Sequence, residues 1–201
     1  MVNQIIRAGL FFAFLMLATM ACDSHYSPKP RGYFRIELPV KSYISSDSSL
    51  PYLFEYPEYT FISPDPQAPN EKYWININYP QFNATLHLSY KHVSNNLFTY
   101  LEDAYTLVSK HIPKADAITD SVIYDPSRQV YGLTYRIEGS GAASPYQFFV
   151  TDSTSHFLRG ALYFNTTPNN DSLEPVIRFL VGDIEHLINT VHWNNRVIDN
   201  R

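Results

Sequence analysis

Two neighbouring stretches of the chain alternate with a period of two. In Tyr73-Trp74-Ile75-Asn76-Ile77-Asn78-Tyr79 the apolar Tyr73, Ile75, Ile77 and Tyr79 alternate with Trp74, Asn76 and Asn78. In Ala84-Thr85-Leu86-His87-Leu88-Ser89-Tyr90 the residues Ala84, Leu86, Leu88 and Tyr90 point one way. That period commits both stretches to strands with one buried and one wet face. The link Pro80-Gln81-Phe82-Asn83 suits a hairpin. Composition agrees, with Tyr 16 and Phe 13 against Gly 7: aromatic side chains favour pleated sheet, and few glycines remain for phosphate-cradling loops. Further strand-like runs are Tyr33–Leu38, Leu53–Tyr56 and Tyr59–Ile62 about a turn at Pro57, Ser121–Tyr124, Val130–Glu138, Pro145–Thr151 and Phe157–Phe164. The short links in the later part imply an antiparallel meander.

Two segments change period. Leu97, Leu101, Ala104, Tyr105 and Val108 recur at helical spacing behind Asn96 as N-cap, and His111 and Pro113 end the run. Leu173, Val176, Ile177, Leu180, Val181, Ile184, Leu187, Ile188 and Val191 form a broad apolar stripe, which predicts a helix lying across the sheet. Ser172 is a natural N-cap for it, with Pro175 in the first turn. His186 and His192 are read onto this helix, and Trp193 beyond it is expected to cap the core. The loop Ser63–Asn70, with Pro64, Pro66 and Pro69, is expected to lack regular structure, as is the serine-rich Ser45–Ser49. The fold class is therefore α+β: a mainly antiparallel sheet of about seven to nine strands with two long helices packed on it.

The amino terminus carries a different signal. Arg7 is the only charge before residue 23, and an apolar run of about 13 residues follows, from Gly9 to Ala21. It is shorter than the roughly 20 residues a membrane-spanning helix needs, and reads as a secretory leader, residues 1–21. It ends at Ala21-Cys22, and Cys22 is the one cysteine of the chain. Leu17-Ala18-Thr19-Met20-Ala21-Cys22 resembles a lipobox, with cleavage between Ala21 and Cys22, diacylglycerol on the thiol and palmitate among the acyl chains. The other reading is an ordinary leader with an incidental cysteine. Removing 21 residues from 201 leaves 180, and losing Arg7 takes the net charge from −4 to −5. An acidic chain with no basic cluster argues against nucleic acid as a partner. Residues 22–32, with Pro28, Lys29, Pro30 and Gly32, read as a stiff tether, and residues 33–201 as a single domain.

Motifs for chemistry are sparse. The seven histidines form no metal-ligand spacing, and Gly139-Ser140-Gly141 reads as a hairpin turn rather than a nucleophile elbow. No cofactor motif is found. Trp74, on the polar face of its strand, is either an exposed binding aromatic or covered by a helix or loop. The segment containing Arg31 and Tyr33 is either a partner-docking site or a plain spacer. Asp120-Ser121-Val122, Asp152-Ser153-Thr154 and Asp171-Ser172-Leu173 resemble the O-glycosylation acceptor of exported Bacteroidota proteins. Ser121, Ser153 and Ser172 are candidate acceptors, the last in conflict with its capping role.

Several stretches resemble the gliding motility lipoprotein GldD family of that phylum. They are Tyr26 to Ile36, Leu38-Pro39, Tyr43, Leu158-Arg159-Gly160-Ala161-Leu162-Tyr163-Phe164, Pro168-Asn169 through Leu173, Pro175, and Asp183 to Ile188 up to Trp193. The resemblance implies a lipid-anchored envelope protein, on the inner or outer membrane, required for gliding and the linked type IX secretion pathway. It implies a non-enzymatic assembly or stabilising role with other gliding and secretion lipoproteins as partners, and a fold similar to the PsbP/Mog1 type. Two other readings stand beside it: a lipid-tethered module binding envelope glycan or peptide, and an envelope hydrolase whose site is assembled only on folding.

Overall fold

The computed structural model describes residues 36–197 together with Arg7. The remainder of the leader, Cys22, the tether with Arg31, and Tyr33 lie outside the described residues. Residues 36–197 fall within the compact unit Arg35–Arg201. Strands are β1 Tyr43–Ser45, β2 Tyr52–Leu53, β3 Glu55–Pro57, β4 Phe61–Pro64, β5 Ile75–Tyr79, β6 Ala84–His92, β7 Ala117–Asp125, β8 Val130–Glu138, β9 Tyr146–Thr151, β10 His156–Phe164 and β11 His192–Trp193. Helix α1 spans Leu97–Ser109 and helix α2 spans Asn170–Thr190.

A seven-stranded antiparallel sheet in the order β4-β5-β6-β10-β9-β8-β7 carries the fold. The meander β7 to β10 forms as its short links imply, and β10 returns to the middle to pair with β6 over nine residues, from His156 opposite His92 to Phe164 opposite Ala84. The period-two pattern sorts the two faces. Ile77, Leu86, Leu88, Phe148, Leu158 and Leu162 join the core beneath α2. Phe149, Phe157, Tyr135 and Ile137 form a smaller apolar cluster beneath α1. The fold class is thus α+β, a large antiparallel sheet with a helix on each face.

Helix α2 is also covered from outside. The segment from Lys41 to Pro57 straps over it through two small ribbons, β1 with β3 and β2 with β11. This strap explains the departures from the expected strands. The run Leu53–Tyr56 is split at Phe54, whose carbonyl and amide are both taken by Ser46 as the chain changes ribbon. Ile36, Glu37 and Leu38 join no strand: Pro39 has no N–H for a ladder, and the Glu37 carbonyl accepts from the Gln81 side chain. Conversely, Ser63 and Pro64, expected in a loop, end β4, where an outer strand accommodates proline.

The helix ends also differ. Helix α2 begins at Asn170, not after Ser172, so Ser172 lies in the first turn and Pro175 a turn further in. The buried Asn170 side chain donates to the Gly139 and Ala142 carbonyls and so anchors the start three residues early. At the other end Arg128 donates to the Ile188 and Val191 carbonyls, satisfying the exposed end of the helix. The helix stops at Thr190, which places His192 on β11 rather than on the helix. Asn96 occupies the N-cap position of α1 without a side-chain cap; its oxygen accepts from the Ser94 amide instead.

Gly160 sits where Phe148 crosses the sheet, and a Cβ there would lie 2.1 Å from the Phe148 ring. Gly160→Ala is expected to cost about 1–3 kcal/mol through overpacking. Urea unfolding of the variant measures this directly, and an unchanged midpoint would contradict the packing described.

Candidate functional site

Polar and charged side chains gather in three places. The first is the contact between α2 and the strap. Asp183 faces outward from α2 but is buried by the strap, with 1 % of its surface exposed. It accepts from the Tyr43 hydroxyl at 3.0 Å, from the Tyr59 hydroxyl, and pairs with Lys41 Nζ at 2.9 Å. Lys41 also donates to the Phe179 carbonyl and lies over the Phe179 ring. Tyr43 stacks on His186, which bonds Glu55. Burial, then the bond to Asp183, pushes the Tyr43 hydroxyl up to about 12, and the same causes raise Tyr59 further. The Tyr43 and Tyr59 hydroxyls and the Lys41 ammonium end on Asp183 or on helix backbone, so these three side chains clasp the strap to the helix.

The second is buried His156. One ring nitrogen meets the Tyr90 hydroxyl at 3.0 Å, the other meets Asn195 Oδ1 at 2.7 Å, and Trp193 stacks on the ring. The partners are a phenol and a side-chain amide. The nearby Asp152 carboxylate accepts the backbone amides of Thr154, Ser155 and His156, which closes the β9–β10 turn. Trp193, expected to cap the core, does so at this point.

The third is the sheet face beneath α1, more polar than the opposite face. Across its strands lie Asn76, His87, Ala161 and Gln147 in one row, and Ser89, Arg159 and Phe149 in the next. Helix α1 covers only part of it. A cleft of about 260 Å³ remains between helix and sheet, walled by Trp74, Tyr100, Leu107 and Phe157, with Ser89 and Arg159 in its lining. Trp74 is half-buried; its indole N–H donates to the Tyr90 carbonyl and Lys91 lies over its ring. Burial lowers the proton affinity of His87 and of His111.

Of the residues singled out in the sequence, Trp74 is thus partly covered by a helix and walls a cleft. Ser121 is exposed on the outer strand β7, Ser153 is exposed in the β9–β10 turn, and Ser172 is exposed on the first turn of α2. They do not come together. Ser140 lies in the turn between β8 and β9. Ala21, Cys22, Arg31 and Tyr33 lie outside the described residues. Sequence reasoning misses a structural role for Asp183, Arg128 and Arg159, because that role depends on distant partners. An acid at the start of a polar gap in the α2 stripe was the available sign for Asp183. Among the described residues no group of three His, Cys, Asp or Glu side chains comes together to hold a metal ion, and no helix is long and apolar enough to cross a membrane.

Comparison with known proteins yields a family model described as gliding motility lipoprotein GldD, which matches residues 23–193. No curated protein sequence matches. Among solved structures, the solution structure of cyanobacterial PsbP (CyanoP) from Synechocystis sp. PCC 6803 aligns with 10% identity and a TM-score of 0.47, covering 83% of this chain and 99% of that chain. The fold described above rests on the sheet order and register, not on that likeness.

The clasp makes a pH-dependent prediction. A tyrosine whose folded value is raised from 10.0 to about 12 holds its proton more tightly when folded. Its stabilisation is complete below the unfolded value and is lost as pH rises through the folded one. Stability should therefore fall between pH 10 and 12, and Tyr43→Phe should flatten that decline. Asp183→Ala, which strands three donors, should cost about 3 kcal/mol or more at neutral pH. Thermal melts across the alkaline range test both, and equal slopes for native and Tyr43→Phe chains would refute the clasp.

Proposed function

We propose a non-catalytic assembly or stabilising role in gliding, and in the linked type IX secretion pathway, for this chain, which belongs to the gliding motility lipoprotein GldD family. The observation that carries the proposal is the family match over residues 23–193, which begins at the residue after Cys22. Membership of a lipoprotein family supports a location in the cell envelope at a membrane. The finer reading is that the leader is removed between Ala21 and Cys22 and that acyl chains on Cys22 hold the protein there. Two or three such chains, at about 0.8 kcal/mol per buried CH₂, anchor a protein stably. The domain supports the non-catalytic part of the reading, because Asp183, His156 and Asp152 are each engaged in holding elements together.

A second reading, a lipid-tethered module for envelope glycan or peptide, is favoured by one observation, the aromatic-walled cleft at Trp74. The two separate in the cell. Deleting the gene should stop colony spreading, impair cargo secretion and deplete other motility lipoproteins. The native copy should restore all three, and a Cys22→Ala copy should not. Normal spreading and secretion in the deletion strain would overturn the assembly role. Full rescue by Cys22→Ala would overturn the need for the lipid.

A further inference from the structure

The cleft beneath α1 contains a charge without a counter-charge. Arg159 projects from β10, the central strand of the seven, directly opposite Ser89 of β6. Its guanidinium donates to Gln147 Oε1, and the Tyr163 hydroxyl lies beside it, both neutral. Among the described residues no carboxylate lies within ion-pair distance of it, whereas Lys41, Lys91, Arg128 and Arg178 each have one. Lys91, on the same wall of the cleft, is already neutralised by Glu71 at 2.6 Å. Asp103 on α1 lines the cleft but does not reach Arg159.

Two neutral acceptors leave most of a guanidinium's five N–H donors unused. A partly buried cation held this way costs desolvation that nothing in the fold recovers, and burial lowers its proton affinity. Gln147 is itself held by His111, at 2.9 Å between the two side-chain nitrogens, so the guanidinium is held from behind. The same sheet face carries the one buried side-chain atom without a partner among the described residues, Asn76 Oδ1, opposite His87. Nothing in the packing of α1 needs a charge here; the walls are Trp74, Tyr100, Leu107 and Phe157.

We propose that the cleft between α1 and the sheet binds an organic monocarboxylate, with its carboxylate on Arg159 beside Ser89 and its apolar body between the aromatic walls. The geometry selects this class. One fixed guanidinium fork matches one planar carboxylate through two parallel bonds, while a phosphate dianion would call for a second free cation. The 260 Å³ volume admits a single ring or a short chain, not an extended lipid or glycan. That chemistry comes from two sources, a free small acid or the C-terminal residue of a peptide. The inference is independent of the assembly role and survives or fails separately from it.

The test uses the full chain in detergent, with Trp193→Phe so that Trp74 is the remaining tryptophan. The probes are phenylacetate, its neutral amide phenylacetamide, and the peptide Ala-Ala-Phe with a free or an amidated C-terminus. A carboxylate should quench Trp74 saturably, and its amide should bind at least about tenfold more weakly. Whichever free acid saturates at the lower concentration identifies the source. Arg159→Gln should lose that binding while its melting temperature holds or rises, because a partly buried charge without a counter-charge has been removed. Asp103→Asn should tighten binding by removing the like charge at the mouth. No saturable quenching by either acid, equal binding of acid and amide, or retained binding in Arg159→Gln would each overturn the proposal. The acid–amide comparison needs no Arg159 variant, so it decides the matter even if Arg159→Gln fails to fold.

Discussion

Helix α2 is buried on two sides, and the domain is organised around that fact. Its inner stripe, with Val176, Ile177, Leu180, Ile184, Leu187 and Ile188, packs on the apolar face of the sheet. Its outer side would otherwise face water, yet it carries Asp183 under the strap, clasped by Lys41, Tyr43 and Tyr59. A carboxylate loses several kcal/mol of hydration when buried, and it persists only where such partners are fixed. The clasp therefore ties the beginning of the described chain to its last helix.

Without a second cysteine there is no disulfide to hold these layers, and side-chain contacts take that part. Arg128 bridges the β7–β8 turn to the end of α2, itself gripped by Asp125 at 2.8 Å. Asn170 ties the start of α2 to the β8–β9 turn. Tyr52, fully buried, ties the strap to the Tyr73 carbonyl. Each is a long-range polar bond made at an element's end, where backbone groups lack regular partners. The two faces of the sheet then have different characters. The α2 face is dry and tightly packed. The α1 face is polar and only partly covered, and a face left open in this way is free to take a ligand without disturbing the core.

The strands and helices were legible in the chain because their signals are local. Alternation over residues 73–79 and 84–90, the meander from residue 121 to 164, and the stripe from Leu173 to Val191 each depend on neighbours within a few residues, and each appears at nearly the expected place. The GldD-like stretches were legible for the same reason. What required the tertiary structure was every pairing across distance. The run Leu53–Tyr56 breaks at Phe54 because Ser46 competes for its backbone, and α2 starts at Asn170 because two carbonyls of a distant turn receive its side chain. Asp183 looks like an ordinary polar residue on an amphipathic helix until the strap, some 140 positions earlier in the chain, closes over it. Arg159 looks like an alternating polar residue of a strand until the fold withholds a carboxylate from it. Short-range periodicity determines which elements form, since it sets which side chains share a face. Which charges become buried, paired or left open is decided only when the layers meet, because desolvation depends on what covers a group and not on its neighbours in sequence.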